Sequence, residues 1–83
     1  MEIRIRELRR VNEGTLRALV DIELQGLIVR GLKVIESEKG KWVAWPSQAW
    51  TGRNGERHFS PMVEPATASL RELVSQAILS AFN

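Results

Sequence analysis

The feature that most constrains the fold of this chain is a segment in which apolar residues occupy every second position. Its five apolar residues are Leu16, Ala18, Val20, Ile22 and Leu24. A period of two is that of a β-strand that buries one face. Turn signals stand at both ends, "NEG" at 12–14 and "QG" at 25–26, and asparagine and glycine accept the positive φ of tight hairpins. The segment therefore predicts a strand joined to its neighbours by tight turns.

The flanking segments extend this pattern into an antiparallel meander of four strands. "EIRIRELRRV" places Ile3 and Ile5 two residues apart, with arginines between them. "LIVRGLKVIES" carries apolar residues on both faces, so we expect both faces of that strand to be covered. "KWVAW" predicts a fourth strand that stops at Pro46. Residues 47–63 are the one long connection, and a short fifth strand around Glu56–Phe59 is the alternative to a continuous loop.

The last part of the sequence changes to the period of an α-helix. Its apolar residues are Leu70, Leu73, Val74, Ala77, Ile78 and Ala81. Their spacing is one stripe of an amphipathic helix. Pro65 favours a start near that proline, whereas Ser69 followed by Glu72 has the form of a capping box, so the first residue stays open. We predict an α+β fold, with a four- to five-stranded antiparallel meander and one C-terminal amphipathic helix.

Length and composition limit the class of protein. A chain of 83 residues predicts one domain over residues 1–83, with a small stability margin that oligomerisation often enlarges. The chain has no cysteine, which excludes disulfides and thiolate metal sites. No apolar stretch approaches the roughly 20 residues that cross a bilayer, and the first residues lack the apolar run of a signal peptide. We expect a soluble, cytoplasmic protein without a membrane partner.

The sequence contains no set of residues that is typical of a catalytic site. His58 is the only histidine, so one chain cannot build a histidine-based zinc site or a Ser–His–Asp triad. Ser47 and Ser60 lie outside any G-x-S-x-G context, and no glycine-rich phosphate or dinucleotide motif is present. His58 itself is predicted to be a solvated or hydrogen-bonded surface residue. We predict no enzyme, no catalytic residue, no metal site and no cofactor.

Three tryptophans within nine residues make "WVAWPSQAW" the most unusual segment. Strand alternation puts Trp42 and Trp45 on opposite faces, so one can lie under the helix while the other needs cover from a partner. Trp50, in the predicted loop, is better placed to stack on nucleic-acid bases. The spare tryptophan and the two-sided third strand predict a homodimer, with an interface formed by Val29, Leu32, Trp42 and Trp45.

The basic residues allow two interpretations. The net charge of only +2 is weak evidence for a polyanionic partner. Arg53 and Arg57 nevertheless flank the Asn54–Gly55 turn signal, and Lys41 precedes the tryptophans. Guanidinium groups on a glycine-containing loop can follow a phosphate backbone. The alternative is ordinary surface charge that maintains solubility.

Several blocks, taken in order, resemble the stage V sporulation protein G (SpoVG) family of small bacterial regulators. The blocks are "LRRVN" at 8–12, alternating residues at 18–24, "VRGLKVI" at 29–35, "WVAWPS" at 42–47, and the pairs 54–55 and 60–61. A closing helix completes the resemblance, which covers nearly the whole chain. No single motif carries it; the order and spacing of the blocks do.

The resemblance implies a homodimer that binds DNA, and also RNA, in gene regulation. In the family, nucleic-acid contacts are attributed to basic residues directly after "PS" and near the start of the helix. This chain has Gln48 and Ala49 at the first place, followed by Trp50, and only Arg71 is basic at the second. The predicted nucleic-acid-binding residues are therefore Lys41, Trp50, Arg53, Arg57 and Arg71. The alternative is a dimeric protein-interaction module with weak or no nucleic-acid binding.

Overall fold

The computed structural model describes residues 1–83 and contains the predicted meander. Its strands are β1 (Ile3–Glu13), β2 (Leu16–Leu24), β3 (Leu27–Ser37) and β4 (Gly40–Ala44). They pair antiparallel in the order β1-β2-β3-β4. Gly14 and Gly26 adopt the positive φ that the tight turns require. With one helix packed on this sheet, the predicted α+β class is confirmed.

The segment predicted to be a long loop instead contains a second, two-stranded sheet. β5 (Ser47–Thr51) pairs antiparallel with β6 (Arg57–Pro61). The placement of Trp50 in a loop is therefore wrong, and the alternative of a strand near Glu56–Phe59 is confirmed as β6. Every residue of β5 is exposed. The segment consequently has no apolar face whose period of two could mark a strand in the sequence.

The helix α1 (Ala68–Phe82) begins at a residue that neither sequence signal indicated. Thr67 is the N-cap, with extended backbone, and its Oγ1 accepts a hydrogen bond of 3.1 Å from the Leu70 N–H. A threonine hydroxyl at this position satisfies one of the unpaired N–H groups of the first turn. Pro65 lies two residues before the cap, and Ser69 is already helical. The helix has neither the length nor the apolarity of a membrane span.

α1 covers one face of the four-stranded sheet and closes the hydrophobic core. The nine buried apolar residues are Ala18, Val20, Ile22, Val29, Leu32, Val34, Val43, Val74 and Ile78. Three of them come from the alternating segment of β2, and two from the stripe of α1. Leu73, which the helical period also placed in the stripe, remains 48% exposed. The core is therefore built by the inner faces of β2, β3 and β4 against a narrow strip of the helix.

A β-bulge in β3 explains why its apolar residues occur on both faces in the sequence. The pairing of β2 with β3 shifts at this point by one extra residue on β3. Gly31 has a φ of 83°, and its N–H donates to Asp21 Oδ1 at 3.1 Å, while Arg30 donates to Asp21 Oδ2 at 3.2 Å. The extra residue reverses the alternation. As a result, Val29 and Leu32 lie on the same buried face, although they are three residues apart.

The opposite face of the four-stranded sheet has no helix on it. Ile35 lies across from Trp42 on β4 and from Leu16 on β2, which places the three side chains in one row. Leu16 and Ile35 are half-buried, and Trp42 is 46% exposed. Their neighbours in the chain point the other way: Val43 pairs with Val34, and both are buried on the helix side. An apolar row is therefore left open on the outer face.

Candidate nucleic-acid interface

The hairpin β5–β6 begins where Pro46 ends β4. The Pro46 carbonyl accepts hydrogen bonds from the N–H groups of Met62, at 2.9 Å, and of Val63, at 3.4 Å. These bonds fasten both ends of the hairpin to one point. At the other end, the Gly52 N–H donates to the Glu56 carbonyl at 2.8 Å, and Gly55 has a φ of 81°. The connection is therefore a closed turn, and it carries the exposed Arg53 at its tip.

One face of the hairpin is formed by Trp50 and His58, which lie directly across from each other. Their rings are stacked, with centroids 4.4 Å apart and planes at 24°. The Trp50 Nε1–H donates to Ser60 Oγ at 2.9 Å. The indole is thus supported on one side and held by its edge, yet 49% of Trp50 is exposed. A fixed, open aromatic ring is a suitable platform for a nucleic-acid base.

A carboxylate lies next to this aromatic pair. Glu56 Oε1 is 3.3 Å from His58 Nε2. A hydrogen bond from its own backbone N–H, followed by the contact with His58, holds the pKa of Glu56 below its usual value, while partial desolvation opposes the shift. Glu56 therefore stays negatively charged at neutral pH. Its charge reduces the attraction of this face for phosphate groups.

The other face of the hairpin carries Phe59 and Arg57, two residues apart on β6. Phe59 is 64% exposed, and the Arg57 guanidinium carbon lies 5.5 Å from the centre of its ring. This is within the distance of a cation–π contact. An exposed ring and a cation therefore lie next to each other on this side of the hairpin, where only Arg57 was predicted from the sequence to be a contact residue.

Phe59 also lines a groove between the hairpin and the start of α1, which we call the helix-start groove. Its volume is about 260 Å³, and its walls include Trp45, Pro46, Phe59, Glu64 and Arg71. Neither Glu64 nor Arg71 uses its side chain in an ion pair or a hydrogen bond. The Trp45 Nε1–H, which is buried, also has no partner. The groove thus combines apolar walls with a carboxylate and a guanidinium group that have no side-chain partner in the chain.

Arg71 borders a second groove, between α1 and β4, that holds Lys41 and Trp42 as well as Glu72. Lys41 lies towards the end of the helix, where its Nζ donates to Asn83 Oδ1 and is 5.3 Å from the centre of the Phe82 ring. Cations near a helix C-terminus are favourably placed. Lys41 therefore has a local role at the end of the helix as well as lining the groove.

The structure divides the five predicted contact residues among three places. Lys41 and Arg71 border the groove between α1 and β4, Arg57 lies beside Phe59, and Trp50 lies on the opposite hairpin face with Arg53 at the tip. Acidic residues lie among them: Glu56 near Trp50, Glu64 in one groove and Glu72 in the other. The arrangement is one of separate cations and aromatic rings, and not of a continuous basic surface.

The residues predicted to form a dimer interface are also separated. Val29 and Leu32 are buried in the core of a single chain, because the bulge turns both towards α1, so they have no surface to offer a second copy. Trp45 is half-buried and packs against that core. Trp42 alone of the four lies on the open outer face, 46% exposed. Of the four predicted interface residues, Trp42 is therefore the one with a large exposed surface.

Three residues that the structure makes prominent were missed in the sequence. Phe59 could have been found from its spacing of two from Arg57, which puts both on one face of a strand. Arg10 lies 4.5 Å from the centre of the Phe82 ring and hydrogen-bonds the Phe82 carbonyl, which fastens β1 to the end of α1. Glu64 faces the helix-start groove. No local pattern marks Arg10 or Glu64, since both contacts depend on how α1 packs.

Comparison with known proteins agrees with the order of the blocks. A family model described as SpoVG matches residues 1–83. Relatives named septation protein SpoVG include one from Symbiobacterium thermophilum, 37% identical over 98% of this chain and 54% of the relative. Another, from Clostridioides difficile, is 31% identical over 99% of this chain and 84% of its own length. A third, from Archaeoglobus fulgidus, is 30% identical over 98% of this chain and 89% of its own length.

The chain thus spans about half the length of the Symbiobacterium relative but most of the length of the other two. The match to the family model has no gap at either end of the chain, and it includes the hairpin as well as the sheet and the helix. The match to the family model and the identity to these relatives show that the chain belongs to the SpoVG family.

Proposed function

We propose that this protein is a non-enzymatic regulator that binds nucleic acid as a homodimer, with the β5–β6 hairpin as its main contact surface. The observation that carries the proposal is the pair of exposed rings, Trp50 and Phe59, one on each face of a hairpin that also bears Arg53 and Arg57. Aromatic rings among cations are typical of proteins that bind single strands. SpoVG is not known as an enzyme family.

The distribution of charge favours single strands over duplex as the ligand, whether of DNA or RNA. Duplex binding depends mainly on cations that neutralise phosphates, and here Glu56, Glu64 and Glu72 lie among the arginines. Stacking, in contrast, needs open rings and contributes about 1–3 kcal/mol per base. Gln48 and Ala49 stand where the family usually carries basic residues, and Trp50 follows them directly. Stacking would thereby compensate for phosphate contacts that this chain has lost.

The homodimer is supported by the open outer face of the four-stranded sheet. Leu16, Ile35 and Trp42 form a row there that no element of the same chain covers. A small domain with an exposed apolar row gains stability when a partner covers it. We therefore narrow the proposed interface to this row, with two copies related by a two-fold axis so that the same surface serves both.

Fluorescence anisotropy of labelled oligonucleotides tests the binding proposal. Single-stranded DNA, RNA of the same sequence and the DNA duplex are titrated with the protein from low to physiological salt. We expect the single strands to bind more tightly than the duplex. Trp50→Ala should weaken single-strand binding by roughly tenfold, the loss of one stacked base. Arg53→Ala with Arg57→Ala should make the salt dependence shallower by about 0.7 for each lost phosphate contact.

Lys39→Ala is the matched control for this experiment. Lys39 is an exposed cation in the turn between β3 and β4, among Arg17 and Glu38 and away from the hairpin. Lys39→Ala lowers the net charge by the same amount as Arg57→Ala but leaves the hairpin intact. Equal losses for Lys39→Ala and Arg57→Ala would mean that only net charge matters, and the hairpin would then not be the contact surface.

A second candidate function is that of a dimeric module that binds a protein. The specific observation in its favour is that Glu64 and Glu72 line the grooves beside Arg71, since a mixed charge pattern suits a protein surface better than a polyanion. No binding of any oligonucleotide at low salt would favour this function. Pull-down experiments would then replace the titrations.

A further inference from the structure

We propose that the helix-start groove holds one unstacked base of a bound single strand and prefers a base with an exocyclic amino group, such as cytosine, over thymine or uracil. The inference rests on the proposed function, because it requires a single strand to bind. It adds a preference for base sequence to a surface that would otherwise contact only the phosphate backbone and the faces of the bases.

The walls of the groove suit a flat aromatic ligand. Phe59 contributes a ring that is 64% exposed, and Trp45, Pro46 and Pro61 contribute further apolar surface. The groove has a volume of about 260 Å³. Bases in single strands are commonly bound by stacking on such side chains. Phe59 is therefore the residue that would hold the base.

Glu64 provides the means to distinguish one base from another. Its carboxylate lines the groove without an ion pair or hydrogen bond to any residue of the chain, and an ionised carboxylate only accepts hydrogen bonds. The N4 amino group of cytosine donates to such an acceptor. At the same position thymine carries O4, another acceptor, which the carboxylate would repel.

Two cations near Phe59 are available to the phosphates that flank the base. Arg71 lines the same groove with a side chain that no carboxylate of the chain pairs, and Arg57 lies 5.5 Å from the Phe59 ring centre. The planar guanidinium group of arginine matches phosphate oxygens through paired donors. Two cations, one ring and one carboxylate are therefore available to a nucleotide and its flanking phosphates.

The test compares oligo(dC) with oligo(dT) of equal length in anisotropy titrations at pH 8, where both carry the same phosphate charge. We expect the wild-type protein to bind oligo(dC) roughly tenfold more tightly, as one good hydrogen-bonded contact to a base edge provides. Glu64→Gln adds an amide donor that thymine O4 can accept, so the preference should fall to within about twofold while oligo(dT) binding is kept or improved. Phe59→Ala should weaken both.

Glu72→Gln is the matched control, because Glu72 lines the neighbouring groove and its removal changes the net charge equally. It should leave the preference unchanged. Equal binding of oligo(dC) and oligo(dT) by the wild-type protein, or a preference that survives Glu64→Gln, would overturn the inference but leave the proposed function standing. No binding of either oligonucleotide would overturn both. Altered oligomeric state in Phe59→Ala, without loss of affinity, would show that a second copy fills the groove and would also overturn it.

Discussion

The four-stranded sheet and the hairpin are made of the same kind of strand, but their side chains meet different surroundings. In the sheet, Val20, Ile22 and Leu32 are fully buried beneath α1. In the hairpin, the large rings of Trp50 and Phe59 are about half exposed or more, although both strands are fully paired. The first region therefore maintains the fold, and the second presents aromatic surface that the fold does not need. This difference is the basis of the proposed function.

Removal of one apolar side chain from each region should show the largest difference between them. Ile22→Ala should lower the free energy of unfolding by about 2–5 kcal/mol, because it removes buried methylene groups and leaves a cavity. Phe59→Ala should lower it by less than about 1 kcal/mol, as for other exposed positions. Urea denaturation measures both. If the two variants were equally destabilised, the hairpin would be part of the core, and its rings would not be free.

The bulge in β3 gives the next largest effect. Gly31 has a φ of 83°, and a Cβ added there would meet no atom within 4 Å, so the cost of Gly31→Ala is one of backbone conformation alone. We expect a loss of about 1–2 kcal/mol in the free energy of unfolding. Gly31→Asn is the control, because asparagine tolerates this conformation better. A loss for asparagine as large as that for alanine would show that the conformation of residue 31 does not determine the cost.

Substitutions at the helix cap should change the free energy of unfolding by a smaller amount. They test whether Thr67 or Ser69 caps the helix. Thr67→Ala removes the hydroxyl that accepts from the Leu70 N–H and should cost about 1 kcal/mol of stability. Thr67→Ser retains that hydroxyl and should cost much less. Ser69→Ala should have little effect, since Ser69 lies within the helix. Thermal unfolding of the three variants measures this, and a larger loss for Ser69→Ala than for Thr67→Ala would move the start of the helix.

The smallest effect concerns pH and the hairpin turn. Because the pKa of Glu56 is lowered in the folded state, its ionised form adds stability at pH values above the pKa of the unfolded chain, and this contribution is lost as the pH falls through the folded pKa. Stability curves of the wild-type protein and of Glu56→Gln should differ at pH 7 and converge in acid. Glu72→Gln, which removes a carboxylate on α1 away from this turn, is the control. Parallel curves for Glu56→Gln would contradict the role of the turn contacts.

The four strands of the sheet and the helix could be predicted because their residues repeat with a visible period. The alternation through Val20 and Ile22 and the stripe through Val74 and Ile78 record which side of each element is buried. Where burial was one-sided, the pattern was sufficient. The exception is β3, where strict alternation would put Val29 and Leu32 on opposite faces, whereas the bulge at Gly31 shifts the period and both are buried.

The candidate interface could be predicted only in part, and the reason is again burial. A hairpin with both faces exposed has no apolar period, so the sequence predicts a loop where β5 lies and does not single out Phe59. The positions of Glu64 and Arg71 in one groove depend on how α1 packs on β4 and on where Pro46 turns the chain. Such contacts join residues distant in sequence and leave no local pattern.

Contact between the hairpin and nucleic acid can be tested most directly with the three tryptophans as internal reporters. The indole N–H signals of Trp42, Trp45 and Trp50 are followed in a ¹H–¹⁵N NMR titration with single-stranded DNA. Trp50 lies on the hairpin, Trp45 in the wall of the helix-start groove and Trp42 on the outer face of the sheet. Large shifts for Trp50, with Trp42 unchanged, are the predicted result. Shifts for Trp42 while Trp50 stays in place would contradict the account.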